Sequence, residues 1–204
     1  MSHAIFCLPY FGPISFYKSL VEYKEIYIEA TENYQKQSYR NRQNIYGANG
    51  KLMLNIPVKH SGSKQRLKYR ESQIENDFYW QNLHFKSLET AYRTSPYFEF
   101  FEDDIEPLFK EKFNSLFDFN LNCFKTTLDL LDLDIKIEMT SEYVEKYNDI
   151  DDQRELIKAK SKTDYNIKPY HQVFEDKYGF ISNLSILDLL FNLDPESVNY
   201  LKNL

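Results

Sequence analysis

Two cysteines, Cys7 and Cys123, are all that 204 residues contain, and they form no CxxC pair. Such usage excludes a disulfide scaffold and fits a reducing compartment. Four histidines (His3, His60, His84 and His171) show no metal-ligand spacing with each other or with the cysteines, so no metal site is expected. Neither a Walker A loop nor a GxGxxG fingerprint is present. No run of about 18 apolar residues occurs, which argues against a membrane span. The first residues lack a basic segment followed by an apolar core, so a cytoplasmic location is expected. Glycine (5) and proline (7) are too scarce for a linker-rich or disordered chain. Nothing divides the chain by composition, and a single domain over 1–204 is expected.

One further absence is local. From Asn33 to Arg70 there is no Asp or Glu, while nine Lys or Arg occur: Lys36, Arg40, Arg42, Lys51, Lys59, Lys64, Arg66, Lys68 and Arg70. The whole chain carries −6, so the remainder carries −15. Gly47, Gly50 and Gly62 also lie in this stretch. A basic, glycine-bearing segment in an acidic protein has the composition of an anion-binding surface. Its plainer reading is a set of charges that solvate strands and a hairpin. The overall acidity argues against a nucleic-acid partner.

What the chain has in abundance is aromatic: 16 Phe and 17 Tyr, rings that bury large areas while tyrosine keeps a polar tip. Ala4–Leu8 reads as a strand and Ile14–Tyr23 as a helix. Glu25–Ala30 and Leu52–Val58 read as strands, the latter entered through the Gly47–Gly50 turn. Leu67–Ile74 is a fourth candidate strand, paired hairpin-fashion with Leu52–Val58 across the His60–Lys64 loop. Helices are expected from Asn76 or Asp77 to Thr94, over Glu102–Asn114 and after Asp118, where Phe117, Leu121, Phe124, Leu128 and Leu131 form a core stripe. Ile135–Met139 alternates as a strand. Residues 147–164, rich in both charges, read as a mobile loop or an exposed helix. Two short helices occupy 185–204. The expected fold is therefore α/β: a small, partly parallel sheet, Rossmann-like in its first β-α-β unit, with a helical C-terminal half against it.

Trp80, His84, Leu88 and Tyr92 share one helix face. His84 is either a general base beside a tryptophan or a packed core residue. Ser185 and Asp188 read as a capping box, and Asp194-Pro195 as a cap followed by proline at the first helical position. Cys7 sits where an α/β protein could place a nucleophile, but no basic neighbour in sequence would activate it. Glu29 closes the second strand at the carboxyl edge, where open sheets bind ligands. It is either a ligand-binding carboxylate or the ion-pair partner of Arg40 or Arg42.

Together PYFGPISFY (9–17), EIYIEATENYQKQSYRNRQNIYGANGKLMLNIPVK (25–59), WQNLHFKSLETAYRTSPYF (80–98) and GFISNLSILDLLFNLDPES (179–197) resemble the WbqC-like family. Lys36, Ser38, Asn41-Arg42 and Ile56-Pro57-Val58-Lys59 are the most distinctive part. The resemblance implies an association with O-antigen and other surface-polysaccharide gene clusters, and one member has been proposed to transfer glycine. The pattern's positions of interest fall on Lys36, Asn41, Arg42, Lys59, His84, Tyr92, Asn183 and Asp188. Some members open with His-Gln-Pro-x-Tyr, whereas this chain has Phe6, Cys7 and Leu8 ahead of Pro9-Tyr10.

The expected function is aminoacyl or acyl transfer to an amino sugar. His84 or Glu29 would serve as base. Lys36, Arg40, Asn41, Arg42, Lys59 and Tyr92 would bind an anionic nucleotide sugar or other phosphate-bearing donor. The alternative is a non-catalytic protein that binds a phosphorylated sugar or a partner enzyme of the same pathway. The sequence does not identify a cofactor.

Overall fold

A computed structural model describes residues 3–60, 67–160 and 165–204. Its centre is a parallel sheet of four strands, β1 (Ala4–Phe6), β2 (Glu25–Ile28), β5 (Lys136–Met139) and β6 (Asp151–Asp152), in the order β5-β2-β1-β6. Counted along the chain this is 3-2-1-4, the first four places of the doubly wound Rossmann order. Every residue of β1 is fully buried, as suits a parallel strand covered on both faces. In β2 only Ile26 and Ile28 are fully buried. The register sets Ala4 beside Ile26 and Phe6 beside Ile28.

Helix α1 (Ile14–Leu20) connects β1 to β2, so the expected parallel β-α-β unit is present. The other large helices are α2 (Trp80–Tyr92), α3 (Phe98–Lys110) and α4 (Leu116–Leu130). In α3 the stripe is Phe98, Phe101, Ile105, Leu108 and Phe109, all buried, which starts the helix four residues earlier than expected. Ser115 Oγ caps α4 by accepting from Asp118 N at 3.1 Å. Asn76 does not cap α2. It spends its side chain on Phe113 O (2.9 Å) and the Trp80 indole (3.4 Å).

Three segments differ from the sequence expectation. The hairpin pairs β3 (Arg42–Gly47) with β4 (Gly50–Asn55), not Leu52–Val58 with Leu67–Ile74. Strand β3 was hidden because Gln43 takes one of its inward positions, at 1% exposure, so apolar alternation does not mark it. Leu67–Ile74 instead contains a 3-10 turn at Tyr69–Glu71, and its strand-type pairing among the described residues is limited to isolated bridges. The charged 147–164 stretch supplies β6, whose backbone pairs with β1 through Asp151 N to His3 O and Gln153 N to Ile5 O, both 2.9 Å. Both side chains of β6 are exposed, as on a protected sheet edge. The part of the His60–Lys64 loop beyond His60, with Gly62, Lys64 and Arg66, lies outside the described residues.

Two short C-terminal helices, α6 (Ile186–Leu193) and α7 (Ser197–Lys202), follow α5 (Glu175–Tyr178). Asp194 is the C-cap of α6 rather than the start of α7. The C-terminal segment closes over α1: Ile14 N donates to Leu184 O (3.0 Å) and Ser15 N to Asn183 Oδ1 (2.9 Å). In dinucleotide-binding folds the amides at this helix start receive the pyrophosphate. Here they are taken by the chain itself. Among the described residues no helix is long and apolar enough to cross a membrane.

Candidate functional site

The segment leaving the carboxyl end of β2 crosses over the carboxyl end of β1. It is held there by Tyr10 N to Tyr39 O (2.7 Å) and Tyr39 N to Ile157 O (2.9 Å). This crossing covers the crevice between β1 and β6 where the strand order reverses, the usual ligand seat of such sheets. A cavity of about 960 Å³ opens beside it. Its walls come from 32–37 after β2, from Tyr143 and Glu145 after β5, and from both ends of the hairpin.

Four of the expected binding residues meet on this wall: Lys36, Asn41, Arg42 and Lys59. Strand pairing explains the meeting, since Arg42 lies opposite Asn55 in the hairpin register and Lys59 follows four residues on. Asn41 Nδ2 and Arg42 Nε both donate to Asn55 Oδ1, at 3.0 and 3.4 Å. Among the described residues, Lys36, Arg42 and Lys59 make no ion pair. With Glu32 paired to Arg40, these three cations outnumber the carboxylate of Glu145 on the wall, an excess that creates a positive potential suited to an anion. Sequence reasoning missed His60, Glu32, Asn55 and Tyr143, which also line the cavity. His60 and Asn55 were legible only as neighbours of the pattern positions, and Tyr143 carried no signal.

Behind the wall lies a buried charge cluster. Arg40 is fully buried, with its guanidinium against Glu32 Oε1 and over the Tyr69 ring at 5.1 Å. Glu32 also accepts from the Cys7 thiol at 2.8 Å. Burial pushes the Cys7 thiol well above its ordinary pKa, which keeps it protonated and donating. Glu29 is fully buried too. Its Oε1 accepts from Thr31 N and Oγ1 (both 2.8 Å) and from Thr140 (3.1 Å), and Oε2 stands 3.6 Å from Arg154. The ion pairs considered for Glu29 from sequence therefore differ from those formed: Arg40 serves Glu32, and Arg154 serves Glu29.

His84 and Tyr92 sit apart from the cavity wall. His84 Nδ1 is hydrogen-bonded to the Tyr10 hydroxyl (2.9 Å), and its ring stacks on Tyr10 and meets Trp80 edge-on. Burial lowers its pKa to about 4, against a smaller opposing effect of a backbone hydrogen bond at Asn55. The Tyr92 hydroxyl donates to Asp188 Oδ1 (2.7 Å) and accepts from Tyr46 N (3.0 Å). Asp188 is fully buried, and its other oxygen accepts from Tyr170 and from Gln172 (2.9 Å). Burial raises the Asp188 pKa, while those three donors pull it back. Asp188 is thus not the returning half of a capping box. Ser185 does cap α6, accepting from Leu187 N at 3.4 Å and donating to Gln43 at 2.8 Å.

Fold and cavity together define an α/β protein with a cation-lined cleft at the carboxyl edge of a Rossmann-ordered sheet. The chain belongs to the WbqC-like protein family, whose model matches residues 8–168. It is also 23% identical to "Uncharacterized protein Rv1507c" of Mycobacterium tuberculosis (strain ATCC 25618 / H37Rv), over 95% of this chain and 91% of that protein. No solved structure matches it significantly.

Proposed function

We propose that the protein is an aminoacyl- or acyl-transferase that acts on an amino sugar in surface-polysaccharide (O-antigen-type) biosynthesis and binds a phosphate-bearing donor in the 960 Å³ cavity. The observation that carries this reading is the convergence of Lys36, Arg42 and Lys59, without carboxylate partners among the described residues, on one concave wall. Membership of the WbqC-like family supports the pathway assignment. The volume is of the order that encloses a small organic ligand.

The reaction requires an attacking amine to lose a proton as a new bond forms to the acyl carbon. The resulting oxyanion needs fixed positive donors before the leaving group departs. Arg42 offers a planar two-point fork for a phosphate or an oxyanion, with Lys36 and Lys59 as point charges. His60, Glu32 and Glu145 are the cavity-lining groups of a type that accepts a proton. His84 and Glu29, the bases expected from sequence, are buried behind the wall, His84 hydrogen-bonded to Tyr10 and Glu29 paired with Arg154.

A non-catalytic binding role is the second reading. It is favoured by the burial of both His84 and Glu29 away from the cavity wall.

Calorimetry with a panel of nucleotide sugars tests the site. Arg42→Lys keeps the charge and loses the fork, so it is expected to weaken binding by at least about 1 kcal/mol, much as Arg42→Ala does. If both variants bind like the parent, the basic wall is only a solvated surface. Transfer of a labelled aminoacyl group to an amino sugar then separates enzyme from binder.

A further inference from the structure

Residues 141–150, between β5 and β6, form no regular secondary structure, yet they are tied down by the side chain of Arg154. Arg154 donates through Nη1 to Val144 O (2.8 Å) and through Nη2 to Glu145 O (3.0 Å). The same guanidinium is fixed from the other side by Asp152, with Nε to Oδ1 at 2.8 Å and Nη2 to Oδ2 at 2.5 Å, and by Glu29 at 3.6 Å. It also lies 5.5 Å from the centroid of the Tyr143 ring and 5.1 Å from that of Tyr147. The side chain of Arg154 is only 10% exposed. This planar fork, anchored by two carboxylates, reaches two consecutive carbonyls directly after Tyr143. A lysine could not reproduce it.

The product of this anchoring is Tyr143, which is half exposed and lines the same cavity as Lys36, Arg42 and Lys59. Tyr34 is the other aromatic residue on that wall, but its ring is already stacked on Tyr69 at 6.5 Å and 25°. A large ring left exposed in a cleft, held in place by Arg154, is a platform for a flat partner. Cations for a diphosphate and an aromatic face for a ring then lie on one wall.

We infer that Tyr143, positioned by Arg154, stacks against the base of a nucleoside diphosphate, so that the donor carried in this cavity is a nucleotide sugar and not a simple sugar phosphate. This rests on the cavity's being an anion site, as proposed above.

The test is calorimetry of the full chain with inorganic pyrophosphate and with ADP, CDP, GDP, TDP and UDP. At least one nucleoside diphosphate is expected to bind more tightly than pyrophosphate, by roughly five- to hundredfold, the usual range for stacking one base. Tyr143→Ala should erase that margin and leave pyrophosphate affinity unchanged, while Tyr143→Phe should retain it. Arg154→Lys should shrink the margin and leave pyrophosphate binding in place. A margin that survives Tyr143→Ala, or one lost equally in Tyr143→Phe, overturns the stacking role. Parent-like discrimination in Arg154→Lys overturns the positioning role. Pyrophosphate binding with no nucleoside preference refutes the inference and leaves the anion site standing, whereas no binding of any probe removes both.

Discussion

Replacing Arg40 by methionine isolates what the buried pair behind the cavity contributes. Methionine keeps most of the unbranched stem, and removes the charge together with the guanidinium that lies over Tyr69. Glu32, itself 6% exposed, would be left, among the described residues, with only the Cys7 thiol as donor to its Oε1. Breaking one side of a pair buried to this degree costs about 3–5 kcal/mol, because the abandoned charge stays out of water. In a chain of this length each 1 kcal/mol moves the melting temperature by about 2–4 °C, so a fall of roughly 6–20 °C is expected. The pair is also imperfectly satisfied, since Arg40 Nε has no hydrogen-bond partner among the described residues. Exchange of both residues for apolar ones, Arg40→Met with Glu32→Leu, should therefore recover most of the loss. The assay is urea or thermal unfolding followed by circular dichroism on parent, single and double variants. A single variant within about 1 kcal/mol of the parent would refute the argument, as would a double variant no more stable than the single one.

His84 gives a pH dependence. Its folded pKa of about 4 lies below the unfolded value near 6.5. Between those values the unfolded chain binds a proton that the native state refuses. Stability due to His84 is thus complete above pH about 6.5 and falls by about 3 kcal/mol as pH drops towards 4. Comparing urea midpoints at pH 7 and 4.5 in the parent and in His84→Phe should show a shallower loss in the variant, and equal slopes would contradict the burial argument. Tyr92→Phe strips a donor from Asp188 and an acceptor from Tyr46 N, so a loss of about 1–3 kcal/mol is expected in denaturant melts with nucleotide-sugar affinity unchanged. Weakened affinity at parental stability would instead return Tyr92 to the binding site. Ser185→Ala loses the α6 cap and the donor to Gln43, and should cost about 1–2 kcal/mol in the same melts. A neutral result would mean that the 3.4 Å cap and the Gln43 bond carry no net energy.

Which parts were legible in the sequence follows from the range of the forces involved. Strands β1, β2 and β5 and helices α1 to α4 announce themselves by local apolar periodicity, as in the Phe117–Leu131 stripe. Strand β6 does not, because two exposed aspartates at a sheet edge are recruited by backbone bonds to β1 alone. At the site, Arg40 and Arg42 look equivalent as sequence, yet one is fully buried on Glu32 and the other lines the cavity. Nothing within a few residues distinguishes them, since the distinction is made by Tyr69, Cys7 and Asn55, distant along the chain. Asp188 shows the same limit. Its local context spells a cap, but its lone pairs are satisfied by Tyr92, 96 positions earlier, and by Tyr170 and Gln172.

The clasp of Asn183 and Leu184 on the first turn of α1 has a consequence for how the chain is made. Ser15 and Asn183 stand 168 positions apart, and Ile186 N reaches back to Gly12 O at 2.9 Å. At about 5–20 residues per second a ribosome needs roughly 8–34 s to travel that distance. Until it ends the leading amides of α1 lack Asn183 and Leu184 as partners, and for most of it β1 has no neighbour on its β6 side. The first β-α-β unit, though contiguous in sequence, is therefore completed among the last steps of biogenesis. Its fully apolar strand β1 is one segment that needs shielding in the nascent chain.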